Sequence, residues 1–110
     1  DRANELLKWL DISKKTTFDN GGFTNRNLST GQRKRLALVA ALLEERAVYV
    51  FDDIAADQDP EFRRRFYEEI LPTVRDQGAT VIAVTHDDRY FKCADRVVVM
   101  EEGQLRPFNS

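Results

Sequence analysis

Two short apolar segments joined by an amphipathic helix constrain the fold of this chain more than any other feature. Residues 47–51 and 80–85 are rich in β-branched and aromatic side chains and are flanked by charged or turn-forming residues. Such runs are typical of strands buried on both faces of a parallel sheet. Between them, Asp59 and Pro60 begin a helix with one apolar face, and Gly78 suits its end. This order predicts a βαβ unit with a right-handed crossover.

The segments on either side of this unit are predicted to be helical before it and extended after it. The predicted elements are a helix over residues 3–12, a turn at 20–22, a helix over 30–45, helical turns over 87–91, and strands over 96–100 and 105–108. Ser29 is a good N-cap for the helix at 30–45. The apolar stripe of that helix is predicted to consist of Leu36, Val39, Ala40 and Leu43.

Length and charge limit the classes of protein to which the chain can belong. Its 110 residues allow one small domain, and the absence of an initial Met predicts a fragment or a processed chain. The net charge of −2 gives no electrostatic reason to expect a nucleic acid as partner. The longest apolar run, residues 36–43, is far shorter than the roughly 20 residues of a membrane span.

Polar side chains follow both predicted strands of the βαβ unit. Asp52 and Asp53 end the first strand, and His86 follows the second. Ligands of open parallel sheets bind at the carboxyl ends of the strands, so these three side chains are candidates for one site. A strand-end carboxylate such as Asp52 suits a hydrated Mg²⁺, and Asp53 suits the orientation or deprotonation of an attacking water. The alternatives are acids that solvate a loop and a histidine that makes a structural hydrogen bond.

Residues 28–32, Leu-Ser-Thr-Gly-Gln, form a candidate phosphate-binding helix start. Ser29 is the cap, and Gly31 allows close backbone approach at a helix N-terminus where free N–H groups and the dipole attract phosphate. The basic residues 33–35 oppose the helix dipole, a cost that a bound anion would offset. The alternative is an ordinary N-capped helix. A second basic run, residues 63–65, is interpreted as a solvated helix face.

Taken in order, these motifs resemble the second half of the ATPase domain of an ABC transporter. The chain has LSTGQ, then FDD about 20 residues later, then residues 57–60, then Thr85-His86. They match a signature motif, a Walker B strand, a D-loop and an H-loop, over residues 28–104. The resemblance implies an α/β fold, a partial P-loop NTPase domain with a mainly parallel sheet, flanking helices and no P-loop strand. Residues 1–27 then belong to the helical signature subdomain, and 28–110 to the Walker B to H-loop half of the core.

The resemblance also implies roles for individual residues and for partners. Asp53 and His86 are implied as catalytic, Asp52 as the Mg²⁺ ligand, and Ser29, Thr30, Gly31, Gln32 and Asp59 as nucleotide-binding residues. The signature residues would serve ATP held by a second ATP-binding domain in a homodimer. A transmembrane domain of the same transporter is implied, which places the chain at the cytoplasmic face of the membrane.

Two stretches are most similar to the subgroup of bacterial exporters of cyclic peptides and peptide siderophores. These are residues 56–72 and 82–105. The implied function is ATP hydrolysis that powers export of a peptide or siderophore across the bacterial inner membrane. Two alternatives remain: a soluble ABC ATPase without transport, and a non-catalytic α/β domain used for association.

The chain departs from the family pattern in two ways. Asp53 stands where the family usually has Glu; the carboxylate is therefore displaced by about 1.5 Å, and misplacement of about 1 Å can lower a rate around 100-fold. In addition, no GxxxxGK[ST] sequence occurs in the 110 residues. The isolated chain is therefore expected not to bind ATP normally, and to expose strand edges that invite pairing with another copy.

Overall fold

The computed structural model describes residues 2–12, 18–19, 22–23 and 28–108. The helices are α1 (Arg2–Trp9), α2 (Thr30–Leu43), α3 (Pro60–Arg65) and α4 (Leu71–Asp76), with a π-helix at Phe66–Ile70 and 3₁₀ helices at Ile54–Asp57 and Asp88–Cys93. The strands are β1 (Phe18–Asp19), β2 (Gly22–Phe23), β3 (Val48–Asp52), β4 (Thr80–Val84), β5 (Val98–Glu101) and β6 (Gln104–Pro107). The turn predicted at 20–22 falls partly outside the described residues.

The predicted strand–helix–strand unit is present and confirms the α/β class. β3 and β4 pair in parallel, with Val48 opposite Thr80 and Asp52 opposite Val84. β5 and β6 form a separate antiparallel hairpin. Its two-residue loop, Glu102 and Gly103, has positive φ at both positions, as the tight turns of hairpins require. No helix among the described residues has the length and apolarity needed to cross a membrane.

The prediction that the strands are buried on both faces is wrong for the described part of the chain. On β3, Tyr49 and Phe51 are buried in the core, whereas Val48 and Val50 on the other face are exposed. The helices cover one face of the sheet, and no described element covers the other. An uninterrupted apolar run shows that a strand suits burial on both sides, but it does not identify what covers each side.

The helix between β3 and β4 follows the predicted pattern. Its apolar positions Phe62, Phe66, Ile70 and Val74 are all buried. A π-helical turn at Phe66–Ile70 separates α3 from α4 and also brings Tyr67 into the core. Phe66 contacts Phe51 of β3 edge-to-face, with ring centroids 6.1 Å apart. The helix thus packs on the sheet through aromatic side chains.

The two earlier helices are shorter than predicted, and α2 buries a different stripe. α1 ends at Trp9, although Leu10 and Ile12 beyond it remain buried. On α2 the buried residues are Leu38, Val39 and Leu42, whereas Ala40 is exposed. The predicted Leu36 and Leu43 are partly buried against the core, so the buried face is rotated relative to the predicted stripe and shares Val39 with it.

Candidate functional site

A cleft of about 370 Å³ opens at the carboxyl ends of β3 and β4. It is lined by Asp53, Ala55, Ala56, Arg63, Tyr67, Thr85, His86 and Asp87. Asp53 and His86, the two predicted catalytic residues, therefore line one cleft, as the rule for parallel sheets predicts. Asp52 is exposed at the end of β3 but does not line the cleft.

Asp53 is the residue at which the chain leaves the sheet. Its N–H donates to the carbonyl of Val84 at 3.0 Å, and its own carbonyl accepts from Lys34 Nζ at 3.0 Å. Its backbone is left-handed, with φ 60° and ψ 36°. Asp and Asn tolerate this conformation better than other non-glycine residues. An aspartate at this position therefore suits the backbone, although its side chain is shorter than a glutamate.

The turn that carries His86 is held by its neighbours. Thr85 Oγ1 accepts hydrogen bonds from Tyr67 Oη at 2.8 Å and from the backbone N–H of Asp87 at 3.0 Å. Burial raises the pKa of Tyr67, which keeps its hydroxyl protonated as the donor. Two hydrogen bonds from Arg89 hold the pKa of Asp87 below its usual value. The exposed His86 side chain is thus presented from a fixed backbone.

The signature turn, residues 28–32, starts α2 with a complete capping box. Ser29 Oγ accepts from the N–H of Gln32 at 3.2 Å, and Gln32 Oε1 accepts from the N–H of Ser29 at 3.0 Å. This reciprocal pair satisfies two of the N–H groups that an α-helix leaves without internal partners. The next N–H group, that of Arg33, donates to the Ser29 carbonyl. In the first turn of α2, the N–H groups of Thr30 and Gly31 therefore remain for an acceptor outside the helix.

The D-loop, residues 57–60, contacts the signature turn directly. A Cβ atom built on Gly31 would lie 2.7 Å from the carbonyl oxygen of Asp57, closer than real Cβ contacts. Gly31 is therefore required by a close approach within the chain itself. The sequence predicted close backbone approach at Gly31, and the group that lies close in the structure is the Asp57 carbonyl.

The basic residues at the start of α2 pair with carboxylates of the D-loop. Lys34 Nζ lies 2.7 Å from Asp57 Oδ2, and Arg35 lies 3.2 Å from Asp59 Oδ2. Arg33 Nε donates to the carbonyl of Leu28 at 3.0 Å. The charge that opposes the dipole of α2 is thus offset within the chain, and no bound anion is needed to explain it.

Asp59 caps α3 and also pairs with Arg35 of α2. Its Oδ1 accepts from the N–H of Phe62 at 2.8 Å and caps α3, as predicted. This backbone hydrogen bond, followed by the charge of Arg35, lowers the pKa of Asp59. The carboxylate remains ionised and largely exposed beside the signature turn.

Arg63 is a cleft residue that the sequence reading missed. The sequence predicts a solvated helix face here, whereas Arg63 lines the cleft and donates to the carbonyls of Ala55 at 3.3 Å and Gln58 at 3.0 Å. Arg65 also turns inward, to the carbonyl of Trp9 at 2.6 Å, and only Arg64 pairs with acids on the helix surface. The available signal was position, since a long side chain one turn into a helix reaches back to the preceding loop.

The described residues hold no group of three or more His, Cys, Asp or Glu arranged to bind a metal ion. A lone carboxylate at a strand end, Asp52, fits an ion that arrives with a nucleotide, because Mg²⁺ in such sites keeps waters and phosphate oxygens as its other ligands. Asp52 therefore offers one carboxylate to such an ion.

Comparison with known proteins gives matches along nearly the whole chain. Residues 14–89 match the family model described as "AAA domain, putative AbiEii toxin, Type IV TA system". The chain is 47% identical to ATP-binding protein SyrD of Pseudomonas syringae over 94% of its length. It is 35% identical over 97% to the type I secretion system ATP-binding protein PrsD of Rhizobium meliloti, and 33% identical over 100% to the carnitine transport ATP-binding protein OpuCA of Listeria monocytogenes.

A solved structure shares the fold. It is the ADP conformation of MJ1267, an ATP-binding cassette of an ABC transporter, with a TM-score of 0.67 and 25% sequence identity. The match covers 96% of this chain and 39% of that one. The chain likewise spans 18% of SyrD and of PrsD and 27% of OpuCA.

Proposed function

We propose that the intact protein hydrolyses Mg-ATP to power export, because this chain belongs to the AAA-domain family whose model matches residues 14–89 and is the C-terminal half of an ABC transporter ATP-binding domain. The exported substrate is proposed to be a peptide or siderophore, carried across the bacterial inner membrane. The observation that carries the proposal is the cleft in which Asp53 and His86 meet at the carboxyl ends of β3 and β4.

The chain is proposed to contribute to two nucleotide sites. In the first, Asp53 orients the attacking water and accepts its proton, while His86 contacts the γ-phosphate. Asp52 holds the Mg²⁺ that accompanies ATP, and the ion stabilises negative charge on the phosphate oxygens. In this arrangement the phosphate-binding loop comes from outside the 110 residues.

In the second site the chain serves a nucleotide bound by a partner ATP-binding domain. Ser29 and Gly31, with Thr30 and Gln32 in the same turn, present the N-terminus of α2 to the γ-phosphate. Asp59 of the adjoining D-loop reaches the dimer interface. A homodimer would then contain two equivalent sites, each made from both subunits, at the cytoplasmic face of the membrane beside a transmembrane domain.

The names of two relatives support transport, and one of the two supports export. PrsD is named for a secretion system, which moves substrates outward, whereas OpuCA is named for carnitine transport. The sequence is nearer to SyrD than to either of these. Export of a peptide is therefore the finer part of the proposal and needs a separate test.

Hydrolysis is tested by Asp53→Asn in the intact protein. Asn keeps the left-handed backbone accessible but cannot accept a proton, so we expect kcat to fall about 100-fold or more with little change in KM. Asp95→Asn is the matched control, because Asp95 is exposed and pairs only with Arg75 among the described residues. Full turnover in Asp53→Asn, or no hydrolysis by the unsubstituted protein, would overturn the proposal.

Asp53→Glu tests whether the shorter side chain limits the rate. The longer carboxylate moves towards the position usual in the family, so we expect kcat to rise. Glutamate is less favourable than aspartate in the left-handed conformation at residue 53, so we expect the substitution to lower the free energy of unfolding by about 1 kcal/mol. Glu45 and Glu102 adopt positive φ elsewhere in the chain, so the conformation is open to glutamate. Unchanged or lower kcat in a folded Asp53→Glu protein contradicts the idea of a misplaced base.

Export is tested in inside-out membrane vesicles that contain the intact transporter. ATP added outside should drive uptake of a labelled cyclic peptide or peptide siderophore, and Asp53→Asn should abolish it. Hydrolysis without uptake of any peptide tested, together with ATP-driven movement of another solute, would retain the ATPase and overturn peptide export.

A further inference from the structure

Gln58 is the one polar residue classed as buried among the described residues, with 7% of its surface exposed. Its Oε1 accepts from Arg35 Nε at 2.7 Å, and its Nε2 donates to the carbonyl of Gly31 at 2.9 Å. The side chain of a D-loop residue thus binds the backbone of the signature turn. Both ends of the amide are used, and each end has a different partner.

Arg35 extends this connection to α1 and α3 and adds a second contact with the D-loop. Its Nη1 donates to the carbonyls of Leu10 and Asp11 at the end of α1, both at 3.3 Å. Its Nη2 pairs with Asp59 at 3.2 Å, and its guanidinium lies 3.9 Å from the centre of the Phe62 ring in α3. One arginine therefore holds the D-loop cap, the start of α3 and the end of α1 to α2.

These contacts leave little freedom for the signature turn to move against the D-loop. A Cβ atom on Gly31 would lie only 2.7 Å from the carbonyl oxygen of Asp57, so the turn and the loop already approach more closely than a side chain would allow. The hydrogen bond from Gln58 and the ion pair of Lys34 with Asp57 resist separation. The turn and the loop are thus held together at close range.

We infer that Gln58 and Arg35 are positioning residues that lock the signature turn and the D-loop into one body. The inference rests on the proposed function. A γ-phosphate that draws in Ser29 and Gly31 at one site would then move the D-loop at the same time. The D-loop is connected to the other site through Arg63, which lines the cleft of Asp53 and donates to the Gln58 carbonyl at 3.0 Å. Coupling of this kind requires an element with contacts to both sites, and the Gln58 amide supplies the connection.

The test is Gln58→Glu in the intact protein. The carboxylate still accepts from Arg35, but it has no donor for the Gly31 carbonyl, so only the connection to the signature turn is lost. We expect kcat for Mg-ATP to fall about tenfold, a modest share of what misplacement by an ångström can cause, with KM within about twofold. Arg35→Lys, which keeps the charge but not the fork of donors, should act in the same direction.

Hydrogen–deuterium exchange supplies a readout that a merely structural role would not change. In the unsubstituted protein, Mg-ATP should slow exchange in residues 28–34 and in residues 56–62 together. In Gln58→Glu the first segment should still respond while the second no longer follows it. Glu61→Gln is the matched control, because Glu61 is exposed, pairs with Arg64 and should preserve the joint response.

The possible results separate this inference from the proposed function. If Gln58→Glu lowers the melting temperature but keeps the parental kcat and the joint response, the inference is wrong. If Gln58→Glu does not fold, Arg35→Lys decides on the same two measurements. If the unsubstituted protein does not hydrolyse Mg-ATP, the proposed function fails and the inference falls with it.

Discussion

At the scale of single residues, a missing side chain determines how closely two loops approach. Gly31→Ala places a methyl group 2.7 Å from the Asp57 carbonyl, which is backbone and cannot rotate away. We expect this overpacking to lower the free energy of unfolding by about 1–3 kcal/mol, measured by denaturant unfolding of the intact protein. Thr30→Ala, in the same turn and exposed, is the control and should be nearly neutral. Equal stability of the two variants would show that the loop yields without cost.

Asp59 predicts a pH dependence of stability. Its folded-state pKa is lowered, first by the Phe62 N–H and then by Arg35, so its contribution is full above the unfolded pKa of about 3.9. That contribution is lost as the pH falls through the folded pKa. Asp59→Asn keeps the cap but removes the charge. The unsubstituted protein should be more stable than Asp59→Asn at pH 7 by less than about 1 kcal/mol, and the difference should begin to shrink below about pH 4 and be lost as the pH falls through the lowered folded pKa. A difference that is constant with pH would contradict this prediction.

Residue types were easier to predict from the sequence than their partners. Ser29 and Asp59 cap helices as expected, because a cap is a local contact within three residues. The partners of Lys34 and Arg35 lie 23 and 24 residues away in the sequence, so a local pattern could only report unbalanced positive charge. The roles proposed for the site residues in catalysis remain predictions.

At the scale of elements, a hydrogen bond connects the π-helix with the turn after β4. Tyr67→Phe removes the hydroxyl that donates to Thr85 but keeps the ring, which stacks on Tyr90 with centroids 4.8 Å apart. We expect a loss of about 0.5–1.5 kcal/mol in the free energy of unfolding. Tyr90→Phe is the control, because no hydrogen bond of its hydroxyl is found among the described residues. Equal losses in the two variants would argue against the Thr85 bond as the cause.

The sequence patterns predicted which segments form helices and strands, but they did not predict which faces of these elements are buried. The helix at 60–76 was predictable because four large apolar residues recur at a spacing of four. The stripe of α2 was mispredicted because leucine, valine and alanine occupy most of its positions, and several faces look equally apolar. The π-turn at Phe66–Ile70 lies just before Pro72, which has no N–H to donate into the helix, so this proline was the local signal for an interruption.

At the scale of the whole molecule, the described fold has a core on one side of the sheet only. Tyr49 and Phe51 join the cluster formed by α2, α3 and the π-helix. On the opposite face, Val48, Val50, Ile82 and Val84 are about half exposed or more. A domain of this size gains most of its stability from apolar burial, so an uncovered sheet face is costly.

The uncovered face predicts that the 110-residue polypeptide, produced alone, self-associates. Val50 and Ile82 are opposite each other in the β3–β4 register and are 62% and 50% exposed, so they form the centre of a continuous apolar patch. Sedimentation velocity at micromolar concentrations should show species larger than the monomer that grow with concentration. Replacing both residues by Thr, which keeps β-branching but adds a hydroxyl, should shift the distribution towards monomer. The matched control is Val74→Thr, in the core, which should destabilise the fold without reducing association. A purely monomeric unsubstituted polypeptide would contradict this prediction and show that the apolar face stays exposed to water without causing association.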